Sequence, residues 1–253
     1  MKTTPIFFLS AFFLFSFFAA NTQDISIKLK EANRLVAIPN EKAALIAFKE
    51  ILKIQPLNLY ALAKCSELCS RIGGREANAK TKESYNQAAI IYAKTALKLY
   101  PESDEANVAA AIAVGRTILK KTGKEKIALV KDIKHYADAA LKVNPKNFKA
   151  WHVLGKWNYE IANLSSIERT LASVLYGSLP NATFKTSITA YEKARSINPN
   201  FSLNYLELAK AYEKNNNKPK AVALLKVLLT IPLQTEDDPR IRKEAVQLIR
   251  SWE

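Results

Sequence analysis

Small and apolar residues recur along this chain in one fixed order. Ala44, Phe48, Ile51 and Pro56 lie four, three and five positions apart. The same steps run through Ala89, Ala93, Ala96 and Pro101, through Ile133, Ala137, Ala140 and Pro145, and through Ser187, Tyr191, Ala194 and Pro199. Offsets of four and three put side chains on one helix face, so each block predicts a helix carrying a stripe of small residues. Proline then ends it, because it cannot continue a helix and biases the residue before it out of the α region. Alanine at the stripe positions suits close approach of a neighbouring helix. The recurrence of the whole block predicts a helical repeat.

Each of these helices is expected to have a partner upstream. In the last block Tyr205, Leu208, Ala209 and Tyr212 precede a turn at 215–218, and Ala221, Leu225 and Leu228 follow it. That spacing follows the tetratricopeptide pattern of aromatic, leucine, small residue and tyrosine on the first helix, with alanine on the second. Trp151, Leu154 and Gly155 open another such unit, with Asn158 where tyrosine is expected and Tyr159 one place late. Trp151 is therefore expected to be the large aromatic that packs against a small residue of the adjoining helix. The prolines stand 45, 44 and 54 residues apart, against about 34 for a simple unit. The first two intervals predict helices about one turn longer each, and the third predicts an insertion at 161–180. The expected fold is an all-α, tetratricopeptide-like right-handed superhelix of about five helix pairs. A capping helix, Pro239 to Trp252, is expected to cover the last stacking face.

The segment Ala150 to Trp157, followed by Tyr159-Glu160-Ile161-Ala162, resembles the signature of the regulator of microtubule dynamics protein family. Glu168-Arg169, Leu179-Pro180-Asn181-Ala182-Thr183-Phe184, Asn198-Pro199-Asn200-Phe201 and Thr235-Glu236-Asp237-Asp238 extend the resemblance. It runs from His135 to Ala245, and upstream, from Asp24 to Lys134, it is one of helical architecture only. The resemblance implies a tetratricopeptide-like array that binds or tethers and has no catalytic activity. Animal members of that family are associated with microtubules, mitochondria and membrane contact, some through lipid binding.

Composition divides the chain in two. Of 11 phenylalanines, seven fall in the first twenty residues. Met1-Lys2 forms a short positive start, and Ile6 to Ala20 is an uncharged apolar run of the length of a signal h-region. Residues 1–20 are therefore expected to be a bacterial-type signal peptide, and 24–253 the repeat domain, exported to the periplasm or secreted. A membrane anchor through residues 6–20 is the alternative, and in an exported protein the family's microtubule association would not carry over. The net charge of +15 arises from 38 basic and 23 acidic residues. Nine of the 38 are arginine, so lysine dominates, and lysine solvates helix faces where arginine grips phosphate. The densest run, Lys120, Lys121, Lys124 and Lys126 around Gly123, reads as a solvated turn. Arginines interleaved with aromatics are missing, which argues against nucleic acid. An acidic protein or peptide partner, or an anionic membrane surface or lipid, suits the charge better.

Few residues suggest chemistry. Cys65 and Cys69 share a helix face at core positions and are expected to be buried thiols. The chain has only two histidines, His135 and His152, too few with the two cysteines to suggest a metal site. Metalloprotease, hydrolase and phosphate-loop motifs are missing, so no catalytic residue, metal or cofactor is assigned. In tetratricopeptide geometry the inward places of the first helices would be Lys149, His152, Lys156 and Tyr159, then Leu203, Leu206, Lys210 and Glu213. Tyr60 and Glu67, and Glu105, Val108 and Ile112, occupy the same places upstream. The expectation is a concave groove, cationic and aromatic-edged beside an apolar stretch, that takes a peptide or protein segment. The second reading is a lipid-binding or membrane-tethering module with a hydrophobic cleft beside the insertion.

Overall fold

The computed structural model describes residues 24–118, 123–176 and 181–253, and these are helices and short connections. The expected signal peptide, residues 1–20, and Lys120, Lys121, Leu179 and Pro180 lie outside the described residues. The helices are α1 (24–37), α2 (Glu41–Ile54), α3 (Leu59–Arg75), α4 (Ala79–Leu99), α5 (Asp104–Thr117) and α6 (Gly123–Val143). They continue as α7 (Phe148–Ala162), α8 (Ser166–Tyr176), α9 (Phe184–Ile197), α10 (Ser202–Lys214), α11 (Lys218–Leu228) and α12 (Asp238–Trp252). Successive helices pair as α1/α2, α3/α4, α5/α6, α7/α9 and α10/α11. α8 fills the expected insertion, and α12 is the terminal cap.

One device repeats at each proline. The residue before it closes the helix through its backbone N–H: Gln55 to Ile51 O at 2.8 Å, Tyr100 to Ala96 O at 2.8 Å, Asn144 to Ala140 O at 2.8 Å and Asn198 to Ala194 O at 2.9 Å. Two residues beyond the proline the next helix begins. Asn58, Ser103 and Asn147 each accept there from the backbone N–H three residues on, satisfying a donor that the first helical turn leaves free. Phe201, at the fourth such place, makes no side-chain cap. The additional length of the first two units lies in α4 and α6, each of 21 residues against 14 in α9.

The stripe residues are the core. Ala44, Phe48, Ile51, Ala89, Ala96, Ala137, Ala140, Tyr191 and Ala194 are at most 1% exposed. Alanine brings backbones close enough for side chain to main chain bonds between helices: Ser66 Oγ donates to Ala89 O at 2.9 Å and Ser187 Oγ to Gly155 O at 2.8 Å. Gly155 meets the opposite shape, since a Cβ placed there would lie 2.5 Å from the Tyr191 ring. Trp151 is not the buried aromatic of its unit. It is half-buried, and its indole N–H donates to Pro145 O at the turn. Trp157 lies 6% exposed instead, donating to Val130 O of α6 at 2.9 Å. The reason is register: Trp151 stands in the first turn of α7, beside the connection, and Trp157 stands in its middle.

Candidate binding surface on the inner wall

Curvature follows from which helices touch. The first helices of the pairs meet one another in a row, α3 on α5, α5 on α7, α7 on α10 and α10 on α12, while the second helices pack on first helices, the cap and, for α6, the inserted α8, but not on one another. The row with mutual contacts is the shorter, inner one. The two ends of the array also meet. Glu41, at the start of α2, donates its backbone N–H to Glu236 at 2.7 Å and accepts from the Glu236 N–H at 3.3 Å. Arg75 reaches Glu41 at 2.5 Å, Glu236 at 2.9 Å and Asp237 at 3.2 Å. Arg71 also bonds Glu41, whose side chain is 1% exposed. A carboxylate so buried persists only with close cations and donors, and two guanidinium groups and a backbone N–H supply them. Thr235-Glu236-Asp237-Asp238 is thus a structural junction: Asp238 in turn accepts from the backbone N–H groups of Gln234 and Thr235.

The three lysines expected in a groove do lie along the inner row, each paired with acid. Lys149 donates to Glu67 of α3 at 2.5 Å, spanning the intervening α5. Lys156 joins Glu207 at 2.7 Å and Glu160 at 2.9 Å, and Lys210 joins Glu207 at 2.9 Å and Glu244 at 2.8 Å. Burial pushes the Glu207 carboxyl up, but Lys156 and Lys210 outweigh it and hold it down to about 2. Glu67 is likewise lowered, with burial opposed by Lys149, Lys64 and Arg71. The face is a lattice of alternating charges rather than the cationic stretch expected. Lysines at the inward places of one helix were legible; the glutamates of the facing helices that neutralise them were not combined with them.

His152 is wedged between helices. Its ring lies 5.3 Å from that of Tyr191 and 4.9 Å from that of Phe201, centroid to centroid. Asn204 donates its amide to Tyr191 O at 2.9 Å, so its Oδ1 is free to accept, and it lies 3.0 Å from His152 Nδ1. That assigns the proton to Nδ1. Burial lowers the His152 pKa against the pull of Asn204 and Glu207, so the ring is neutral and donates. Tyr159 is half-buried, edge-on to Phe184 at 5.6 Å. Leu203 is half-buried, but Leu206 is 1% exposed and belongs to the packed core instead of the open face. Tyr60 donates to Asn33 at 2.6 Å, tying α3 to α1. Cys65 and Cys69 are free and fully buried, and burial pushes their thiols up to about 12 and about 11.

Inward-facing residues outside the expected set include arginines as well as Glu207 and Glu244. Arg71 and Arg116 stand four places, one helical turn, beyond Glu67 and Ile112, Arg75 a turn further, and Arg240 on α12. Four of the nine arginines thus gather at the junction. Their scarcity against lysine was the available signal.

An inner row of first helices, second helices packed outside it and a terminal cap define a tetratricopeptide-like repeat array. A thermophilic tetratricopeptide repeat protein from Thermus thermophilus shares this fold with a TM-score of 0.65 at 16% identity, over 89% of this chain and 99% of that one. The profile of the regulator of microtubule dynamics protein 1-3 family matches residues 28–253, and the chain belongs to that family. It is 33% identical over 195 residues to regulator of microtubule dynamics protein 1 of Bos taurus, covering 77% of this chain and 61% of the relative. To the protein of the same name from Caenorhabditis elegans it is 28% identical over 186 residues, 74% of this chain and 80% of the relative. The chain spans about three fifths of the cow and mouse relatives' length. The match takes in the first units as well, beyond the segment His135 to Ala245 that carries the resemblance at residue level.

Proposed function

We propose that this chain is a non-enzymatic interaction scaffold that binds a protein segment on its inner wall. The observation that carries this reading is the chemistry of that wall. Outside it, packing is by alanine and leucine stripes; along it, charged and aromatic side chains that keep partial contact with water converge from α3, α5, α7, α10 and α12. The lysine members of its ion pairs, Lys149, Lys156 and Lys210, keep 28%, 45% and 25% of their side chains exposed, so acidic groups of a ligand can reach them. Among the described residues, no group of three or more His, Cys, Asp or Glu side chains is placed to hold a metal ion.

A photo-crosslinking amino acid at Tyr60 or Tyr159, with Ile91 on the outer surface as control, tests the reading in the cells that make the protein. Adducts from the two inner positions and none from Ile91 are expected. Adducts from Ile91 alone would overturn it.

α8 favours a second reading. It packs on α6 and leaves Ile167 and Val174 exposed at 74% and 78%, which suits contact with a membrane or lipid beside the insertion. Flotation with liposomes that is lost in the double variant Ile167→Ser/Val174→Ser would favour that reading. The expected export of the chain belongs to the same proposal, and the N-terminus of purified protein tests it: an intact Met1 refutes cleavage.

A further inference from the structure

The excess positive charge of this chain lies on the outside of the array. The second helices α2, α4, α9 and α11 carry 13 basic residues against four acidic ones, and 12 of the 13 are lysine. The first helices α3, α5, α7 and α10, of nearly the same total length, carry eight against six. Within that outer surface the first two units repeat one stripe. Lys42, Ile46, Lys49 and Lys53 stand four, three and four places apart on α2, and Gln87, Ile91, Lys94 and Lys98 repeat those steps on α4, 45 residues on. All eight are exposed, the two isoleucines at 62% each. Ile54 and Leu99, next to the last lysine of each stripe, are 45% and 37% exposed. Lys49, Lys94 and Lys98 make no ion pair among the described residues. The stripe stops there. Its places are taken by Lys131, His135, Asp138 and Lys142 on α6 and by Lys185, Thr189, Glu192 and Ser196 on α9, so the isoleucine is lost and the third place turns acidic. Asp138 and Glu192 are also paired, with Lys134 at 2.5 Å and Arg195 at 2.7 Å.

We infer that the outer face of α2 and α4 docks on an anionic phospholipid bilayer. A helix lying along such a surface sinks its aliphatic side chains below the headgroups while lysine stems bend up to keep their charge among them. Each lysine held near an anionic surface adds to the attraction. Isoleucine one turn from exposed lysine, on two helices at the same repeat position, supplies both parts. The shape fits lipid as well. Side chains diverge on the outside of a curved array, where a peptide finds no converging walls, but fluid lipid needs none. Neither stripe holds an arginine or an aromatic ring, which a nucleic acid would use. Among the described residues no helix is long and apolar enough to cross a membrane, so the contact is with the surface. Docking is independent of the scaffold reading: the inner wall stays open to a protein segment, and Ile91 meets lipid rather than protein. It is also distinct from a contact through α8, which packs on α6 of the third unit.

The test attaches an environment-sensitive nitrobenzoxadiazole label to Ile46→Cys or Ile91→Cys in the full chain, whose native thiols are buried, and adds phosphatidylglycerol vesicles. A blue shift that saturates with lipid is expected at both positions and is absent with phosphatidylcholine vesicles. Thr189→Cys, the same place in a later unit, should stay unshifted. With the label at Ile91→Cys, the triple variant Lys49→Gln/Lys94→Gln/Lys98→Gln should weaken the response on the order of 100-fold, roughly fivefold for each lysine. Lys185→Gln/Lys193→Gln/Lys218→Gln removes the same charge elsewhere on the outer surface and should cost far less. All six lysines are exposed, and unchanged helical circular dichroism checks that both variants fold. No shift at Ile46 and Ile91, an equal shift with phosphatidylcholine or at Thr189, or an equal loss in the two triple variants would overturn the inference.

Discussion

Two stretches of the inner wall are held by ion pairs, and they differ in how far apart in the chain their partners lie. Along α7, α10 and α12, Lys156, Glu207, Lys210 and Glu244 form a ladder between adjacent helices, separated by 51 residues at most in its bonded pairs. At the junction, Glu41 bonds Glu236 across 195 residues and Arg75 bonds it across 161. The ladder holds neighbours that their apolar stripes already bring together. The junction joins elements that no stripe connects, since neither α2 nor α3 packs its helix against α12. A buried carboxylate does there what packing does elsewhere, and its loss should be felt differently.

The largest expected effect is therefore at Glu41. Glu41→Ala leaves Arg71 and Arg75 facing each other with their shared partner gone, at a cost of about 3–5 kcal/mol, read as a lower urea midpoint. A loss under about 1 kcal/mol would reduce the junction to the rank of a surface pair.

On the ladder, the sharpest probe is pH. Glu207 is held down to about 2 from an ordinary value of 4.5. Its contribution is thus complete above the unfolded pKa and is lost as pH falls from about 5 toward 2, on the order of 3 kcal/mol in all. His152 acts in the same sense: with its pKa lowered by burial, acid favours the unfolded chain once pH falls below the free imidazole value. Glu207→Gln should flatten the acid limb of stability against pH. An unchanged slope would show that the ladder carries no linked proton.

Packing around the ladder is tested by Gly155→Ala. Helix propensity alone favours alanine by about 1 kcal/mol, but the Tyr191 ring occupies the place of the new methyl group. A net destabilisation of about 1–3 kcal/mol is expected, and a gain would mean that Tyr191 moves freely. The smallest effect belongs to Glu244→Gln, at the solvated end of the ladder, where about 0–1 kcal/mol is expected; a larger loss there would erase the contrast between the two stretches.

The same contrast sets what the amino-acid sequence makes legible. The helix pairs, the insertion and the cap could be read because proline spacing and a three-to-four stripe are local signals. The burial of Cys65 and Cys69 followed from repeat position. Leu206 was assigned to the groove because periodicity marks a face without saying how far the neighbouring helix covers it. Trp151 and Trp157 lie six places apart on one helix, and only the position of α6 decides which is buried. The arginine cluster is not legible in the sequence because two of the partners of Arg75, Glu236 and Asp237, lie at the other end of the chain. Glu236 and Asp237 were seen as part of a family motif, but its use as a fastener depends on closure of the array.

Closure is the claim on which the shape of the inner wall depends. It is tested most directly by spin labels at Lys42 and Arg240, both well exposed and on opposite sides of the junction, with the pair distance measured by double electron–electron resonance. A single short, narrow distribution that broadens and lengthens in Glu41→Ala is the predicted result. A broad, long distribution in the unmodified background would show an open array and contradict the account.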